Sequence, residues 1–437
     1  MRRRMHLRAW ILVGAGLLAA GAGPAYGAGA ASAGSVAGAR EYTVRDLGTL
    51  GGTRSEATAI DGDTVVGSSQ TSGDDAEHAF AYDLRGHVMT DLGTLGDSSR
   101  ATGVAGKYVV GESDLSAGGP THGFVYDLRT RRLADIGTLG GSSTHVTGLH
   151  GDTVVGTSSL SGDAVTHAFA YSLRTRTMTD LGSLAGPSGD STAAAVSGAV
   201  VVGSSSLPGT PAGTTHGFAY DLRTRTMTDL GTLGGSSSTA NDISGPVVVG
   251  QSRTAGNGLS GYAYDLRTGV RTDLGSHFLI AQLVSGNTVV GGDSLLSTTY
   301  DLVTHTSAVV GSGRGVTEVR QIAGNVMVGD NFAPNSFAFV ARADNGDFTY
   351  LASLGGLNSA ATQVDRHGVV AGSAALPPAD PVSANGPFHA TVWVPHTVGQ
   401  GARGLSVVSH SGQATAVTSA ARVLEAHRVG AGDRTVG

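Results

Sequence analysis

The chain repeats itself, and this limits the folds open to it more than any other feature. THAFAYSLRTRTMTDLGSL begins at Thr166 and THGFAYDLRTRTMTDLGTL at Thr215, with sixteen of nineteen positions identical. DLGTLGG or a relative starts at Asp46, Asp91, Asp135, Asp180, Asp229 and Asp273, with worn versions near Val309 and Tyr350. A second landmark keeps phase with the first: DTVVGSS (63–69), KYVVGES, DTVVGTS, AVVVGSS, PVVVGQS, NTVVGGD, NVMVGDN and GVVAGSA (368–374), eight copies in all. The spacing is 44 to 49 residues where the repeats are crisp and 36 to 44 where they decay. A fixed period of this size means stacked copies of one supersecondary unit that bury their faces against each other.

Each unit holds four short apolar segments separated by turn residues, which in the first are EATAI (56–60), TVVG (64–67), HAFAYDL (78–84) and HVMTDLG (87–93). Runs this short, rich in Val, Thr, Tyr and Phe and bounded by Gly, Asp and Ser, read as strands. Four strands in about 45 residues make a propeller blade, and we name them A to D. In HAFAYDL, His78, Phe80, Tyr82 and Leu84 share one face and Ala79, Ala81 and Asp83 the other. One blade's bulky face can then seat on its neighbour's small face.

The ends carry the strongest topological argument. EYTVRDLG (41–48) is a strand D with no blade of its own, and HATVWVP (389–395) is a strand C with no DLG after it. Pairing the two closes a ring and removes its open edges. The expected fold is therefore all-β, an eight-bladed β-propeller over residues 40–395 whose N-terminal strand completes the last blade. Seven blades is the fallback, because the sixth and seventh units are eroded. A β-solenoid is the rival, although its coils need only roughly 20–30 residues each.

The recurring H-[AG]-F followed by DLGTLGG resembles the bacterial HAF extracellular-repeat family. The residues that carry the likeness are His78-Ala79-Phe80, His122-Gly123-Phe124, His167-Ala168-Phe169 and His216-Gly217-Phe218. The last copy departs to His389-Ala390-Thr391, and units five to seven lack the His. The resemblance implies an exported bacterial protein and brings with it no reaction or ligand.

Residues 1–27 read independently as an export signal. MRRRMHLR is a basic n-region, AWILVGAGLLAAGAG an apolar h-region, and small residues surround a cleavage point. Residues 28–39 follow as a linker. The Gly-, Ala- and Ser-rich stretch 396–437 is expected to be a low-complexity tail, with one candidate helix at 415–429. There is no Cys, which excludes a lipid-anchored cysteine, a disulfide framework and Cys-based zinc sites. Without residues 1–27, which hold four Arg and no acids, the chain has 24 basic and 34 acidic residues, a net charge of −10 with no long Lys/Arg run, so no nucleic-acid partner is expected, and no membrane association once the signal is removed. A monomer is the expected state.

Two residue sets invite a chemical reading. His78 with Asp91, His122 with Asp135, His167 with Asp180 and His216 with Asp229 suggest dyads or metal ligands. Their repetition, one pair per blade, instead favours a structural network that satisfies polar groups buried by packing. No catalytic residue and no metal ligand is therefore assigned. The DLGTLGG loops lack the Lys and the helix of a phosphate-binding loop, and their glycines are expected to supply positive φ in the D–A turn.

Asymmetry is the second guide. The B–C connections vary most, at 70–77, 114–121, 207–215 and 375–388, and variable loops on a rigid scaffold are where binding is usually built. In strand A, aligned on VVG, small residues dominate the channel-facing positions, and among those that depart from them Glu56, Arg100, His145, Asn241, Glu318 and Arg320 are the ones suited to face a ligand. They form a mixed polar channel mouth, the expected binding site. The leading reading is a secreted, non-enzymatic binding propeller whose partner is an extracellular glycan or another protein. The alternative is a secreted polysaccharide hydrolase or lyase, with Glu56 and Glu318 as the carboxylate pair. No cofactor is expected; calcium would have no DxDxDG loop to enter.

Overall fold

In a computed structural model, the described residues are 41–211, 213–275, 278–293, 296–311, 316–333, 335–379 and 386–396. The segments expected to be an export signal, a linker and, after His396, a tail lie outside them, as does part of the loop 375–388. The described chain forms eight four-stranded antiparallel sheets, each in the order A-B-C-D. Blades 1 to 7 span 51–93, 99–135, 140–182, 191–229, 234–273, 280–309 and 316–350. Blade 8 takes strands A to C from 359–396 and its strand D from Glu41–Gly48. Strand A of each blade touches strand A of the next, round to blade 1 again, so the A strands form the inner ring. The protein is an eight-bladed β-propeller closed by its N-terminal strand.

Packing between blades follows the large-on-small alternation. Ala79 and Ala81 of blade 1 receive Phe124 and Tyr126 of blade 2. Ala168 and Ala170 of blade 3 receive Phe218 and Tyr220 of blade 4, and Ala390 of blade 8 receives Phe80 and Tyr82 of blade 1. Each Phe lies opposite the VVG glycine of its own blade, as Phe80 does Gly67 and Phe169 does Gly156. A Cβ on Gly67 would stand 1.9 Å from the carbonyl oxygen of Glu56 in strand A, so only a glycine fits.

The repeat's polar residues interlock across the blade seam. Between blades 1 and 2, the Asp91 carboxylate accepts the N–H of Gly93 (2.7 Å) and meets His78 Nδ1 (2.8 Å). Gly93, at φ +75°, turns its carbonyl to receive the Ser99 hydroxyl (2.7 Å). Ser99 Oγ in turn accepts the N–H of Ala79 (2.8 Å), and the Leu95 N–H donates to Ser113 Oγ (2.9 Å). D-L-G-x-L, H-[AG]-F and V-V-G-x-S are thus three parts of one hydrogen-bond network. In the TLGG copies, the positive φ expected of the turn belongs to the first glycine of the pair, Gly51 at +103°. The second, Gly52, is there for space, because a Cβ on it would meet Asp74 Oδ1 at 2.5 Å.

The closing seam uses the same network. His389 Nδ1 lies 3.0 Å from Asp46, Asp46 accepts the Gly48 N–H, and Ser55 Oγ bridges Gly48 O and Ala390 N. Trp393, fully buried, adds a bond from Nε1 to Ala352 O of the link into blade 8 (2.7 Å).

Candidate functional site

The four expected His–Asp pairs all form within their own blades, at 2.8, 2.7, 2.8 and 2.9 Å for His78, His122, His167 and His216. The fifth, His389–Asp46, was not foreseen, although both halves stand in the sequence as H-A-T and D-L-G. Successive pairs belong to successive blades, so they do not converge on a common substrate position.

The channel is built from strand A, and each strand A carries a one-residue β-bulge opposite its VVG landmark. The extra residues are Thr58, Thr102, Thr147, Ala194, Asn241, Gln282, Arg320 and Thr362. A bulge re-aims its side chain, and here several reach the next blade. Thr58 donates to Ala101 O (2.7 Å), Thr147 to Ala193 O (2.9 Å), Asn241 Nδ2 to Ala281 O (2.9 Å) and Thr362 to Ala57 O (3.0 Å). Asn241, expected at the binding mouth, is therefore a stitch between blades 5 and 6; its Oδ1 also accepts from Thr239 (3.0 Å).

Arg320 departs from that pattern. Its Nε and an Nη donate to the two oxygens of buried Asp330 at 2.6 and 2.9 Å, and Glu318 lies 3.7 Å away. The Asp330 hydrogen bonds hold the guanidinium protonated against the pull of burial, and the charges of Asp330, Glu318 and Glu56 add to this. Glu56, on blade 1, is thus brought towards Arg320 and Glu318 of blade 7 across the short strand A of blade 8. Its nearest ion-pair partner is Arg54, at 4.0 Å. Arg100 and His145 stand on blades 2 and 3, where Arg100 meets Glu77 (3.4 Å) and His145 meets Glu112 (3.5 Å). The mouth is therefore divided into two charged groups, one on blades 7 and 1 and one on blades 2 and 3, with Thr192, Thr239 and Ile280 on blades 4 to 6.

Asp330 and Glu112 escaped the sequence reading, which followed strand A alone. The residue after VVG in strand B pairs with the channel position of strand A, and acids stand there only in blades 2 and 7. One step past the bulge, a second polar ring is partly occupied. Asp242 Oδ2 accepts the Val284 N–H (2.8 Å), Gln321 Oε1 the Val364 N–H (2.6 Å) and Gln363 Oε1 the Ile60 N–H (2.6 Å). Burial pushes the Asp242 carboxyl up to about 6, against the opposing effect of its two backbone N–H donors, Val284 and Ile243.

Neither a family model nor a curated protein matches the chain. Among solved structures it is similar to the Dos1 propeller, at 10% identity and a TM-score of 0.53, covering 81% of this chain and 95% of that one. It is also similar to a prolyl endopeptidase, at 9% identity and a TM-score of 0.50, over 70% of this chain and only half of the other. TolB from Acinetobacter baumannii aligns over 77% of this chain and 68% of its own, at 14% identity and a TM-score of 0.37. At these identities the likeness is one of fold, and the class it defines is the β-propeller.

Proposed function

We propose that the chain is an exported, non-enzymatic binding propeller whose partner is an extracellular glycan or protein. Its working face is the one that bears the D–A and B–C connections and the channel mouth. One observation carries the reading: the chemically active side chains of the repeat are consumed in holding blades together. His, Asp and Ser of each crisp blade bond one another and the backbone at the seam. What departs from the repeat is a set of ion pairs at the channel mouth and loops of unequal length, the features of a recognition surface on a rigid scaffold. The likeness of the H-[AG]-F repeat to exported bacterial proteins supports the extracellular setting.

The test is a solid-phase binding screen of purified protein against bacterial-wall and plant polysaccharides, with calcium and again with chelator. Saturable binding to one class, without release of soluble fragments, is the expected outcome. Accumulating fragments, abolished by Glu318→Gln, would replace this reading with a hydrolase or lyase.

A further inference from the structure

Away from the channel, a cleft of about 270 Å³ opens at the outer edge between blades 2 and 3. Its walls include Tyr108, Leu133 and Arg132 from blade 2, and Tyr171, Leu173 and Arg176 from blade 3. Two of these break the repeat. Arg132 stands where other blades have Val88, Thr177 and Thr226, each paired with the last residue of its strand C. Tyr108 stands where they have Thr64, Thr153 and Val200.

The charge balance of the cleft is one-sided. Its acid, Asp127, is already engaged: Lys107 Nζ lies 3.0 Å away, and the N–H groups of Arg129 and Thr130 bond its carboxylate. Arg132 and Arg176 have no ion-pair partner among the described residues, and the same holds for exposed Arg129, Arg131, Arg174 and Arg225 on the neighbouring C–D hairpins. Six unpaired arginines thus gather at one end of blades 2 to 4, on a chain whose net charge is negative. In the sequence they form three short groups, Arg129 with Arg131 and Arg132, Arg174 with Arg176, and Arg225 alone; the ring brings the groups side by side.

We propose that this cleft seats one acidic sugar residue of a carboxylate-bearing polysaccharide, with the arginines of blades 2 to 4 following the polymer beyond it. The proposal rests on the reading of the chain as an extracellular binding propeller, and adds to the channel-mouth face a second site at the opposite end of the strands, where the C–D hairpins lie. The guanidinium forks of Arg132 and Arg176 suit a carboxylate. Leu133 and the part of the Tyr108 ring that Lys107, 4.5 Å from its centroid, leaves open offer apolar surface to a pyranose over a floor that includes buried Leu173, and the volume suits one sugar unit rather than a large ligand. A nucleic acid would favour a longer and denser cationic track. An anionic membrane would favour exposed large hydrophobic groups beside the arginines, and among the described residues the C–D hairpins of blades 2 to 4 have none.

The experiment is calorimetric titration of the full chain with polygalacturonate oligosaccharides, neutral galactan oligosaccharides, duplex DNA and anionic vesicles, at low and raised salt. Polygalacturonate should bind saturably and weaken with salt, while galactan should not bind. Arg132→Thr with Arg176→Gly, residues that other blades carry at these places, should fold normally and lose roughly ten- to a hundredfold in affinity. Tyr108→Thr should weaken binding without altering its salt dependence, and Arg366→Gln on blade 8 should leave it unchanged. Polygalacturonate binding that survives the double variant but falls with Arg100→Thr at the channel mouth would overturn the cleft and keep the binding propeller. Equal binding of galactan, preference for DNA or vesicles, or no binding of any probe would overturn the cleft as well. Cleavage of the oligosaccharide would instead remove the non-enzymatic reading.

Discussion

Blades 1 to 4 and blades 5 to 7 solve the same seam in different ways. In the first group, and again in blade 8, a His of strand C meets an Asp at the end of strand D. In blade 5 the pair is Ser260 with Asp273. In blade 6 the same two places hold Leu296 and Val309, set by the pairing of Thr298 with Val309. In blade 7 they hold Phe337 and Tyr350, whose rings meet edge to face at 5.8 Å. A second exchange accompanies the first. Blade 6 has Thr298 where blades 1 to 4 and 7 have Phe and blade 5 has Tyr262, and Phe278, from the link before strand A, packs instead against Gly291. What the ring requires is a filled position, and polar or apolar chemistry can fill it. The full polar network is nonetheless kept at the closing seam, whose partners lie 343 residues apart. The strand pair that makes this seam closes the longest loop among the described residues.

The largest effect is expected from removing residues 41–48. Blade 8 is then left with three strands and a bare edge, so the expected product is aggregated or partly unfolded by size-exclusion chromatography and circular dichroism. A stable monomer would show that closure is no more demanding than any other seam. Next in size is a matched pair of deletions. Phe169→Ala and Phe278→Ala should each cost ~3–5 kcal/mol in denaturant unfolding, since both rings are buried against a neighbour's small face. If Phe278→Ala cost well under 1 kcal/mol, the equivalence of the two rings would fail.

The polar stitch past the bulge gives a pH-dependent test. Blades 7 and 8 use neutral Gln321 and Gln363, while blade 5 uses Asp242, whose pKa is raised to about 6. A carboxyl that binds its proton more tightly folded than unfolded favours folding in acid. That stability is fully present below pH ~4 and is lost as pH rises through 6. Asp242→Asn retains an oxygen for the Val284 N–H without the buried charge. It should stabilise the protein by about 2–3 kcal/mol at pH 8 and by almost nothing near pH 4. Equal effects at both pH values would mean that Asp242 is not buried as a carboxylate.

Much of the ring could be read from the sequence, because a spare DLG at one end and a missing one at the other dictate the closure. Large-on-small packing was equally legible, since HAFAYDL alternates at the period of a strand. Phe278 was not, because it fills a strand-C position from outside strand C and so falls out of register with every repeat. Asp330 and Glu112 were missed because the channel residues were sought in one strand, while the bulge brings strand B beside the same opening. The arginine cluster was legible only in part: RTRR at 129–132 stands in the sequence, but the ring is what sets it beside Arg174, Arg176 and Arg225 of the next two blades.

The seam pairs themselves should show smaller effects. His389→Ala removes a partly exposed charge-assisted bond and leaves Asp46 holding only the Gly48 N–H. A loss of about 1 kcal/mol is expected, and a double-mutant cycle with Asp46→Ala would isolate the coupling. His216→Ala, within one blade, should cost no more than this; a greater loss there would separate the latch from the demands of closure.

The smallest effect asks whether departure from the crisp repeat is always a loss. At the C–D turn, blade 4 places Arg225 at φ +58°, and its N–H bonds Asp221 O. Blade 5 forms the same turn with Gly269 at φ +69°, bonded to Asp265 O. A left-handed backbone strains any residue with a Cβ, and glycine avoids the strain while losing more entropy on folding. Arg225→Gly should therefore stabilise the protein by roughly 0.5 kcal/mol, seen as a small rise in the denaturation midpoint with an unchanged m-value. A gain would show that blade 5 has the better backbone at this corner and blade 4 keeps its arginine at a cost. A loss would mean that the Arg225 side chain supports the fold itself.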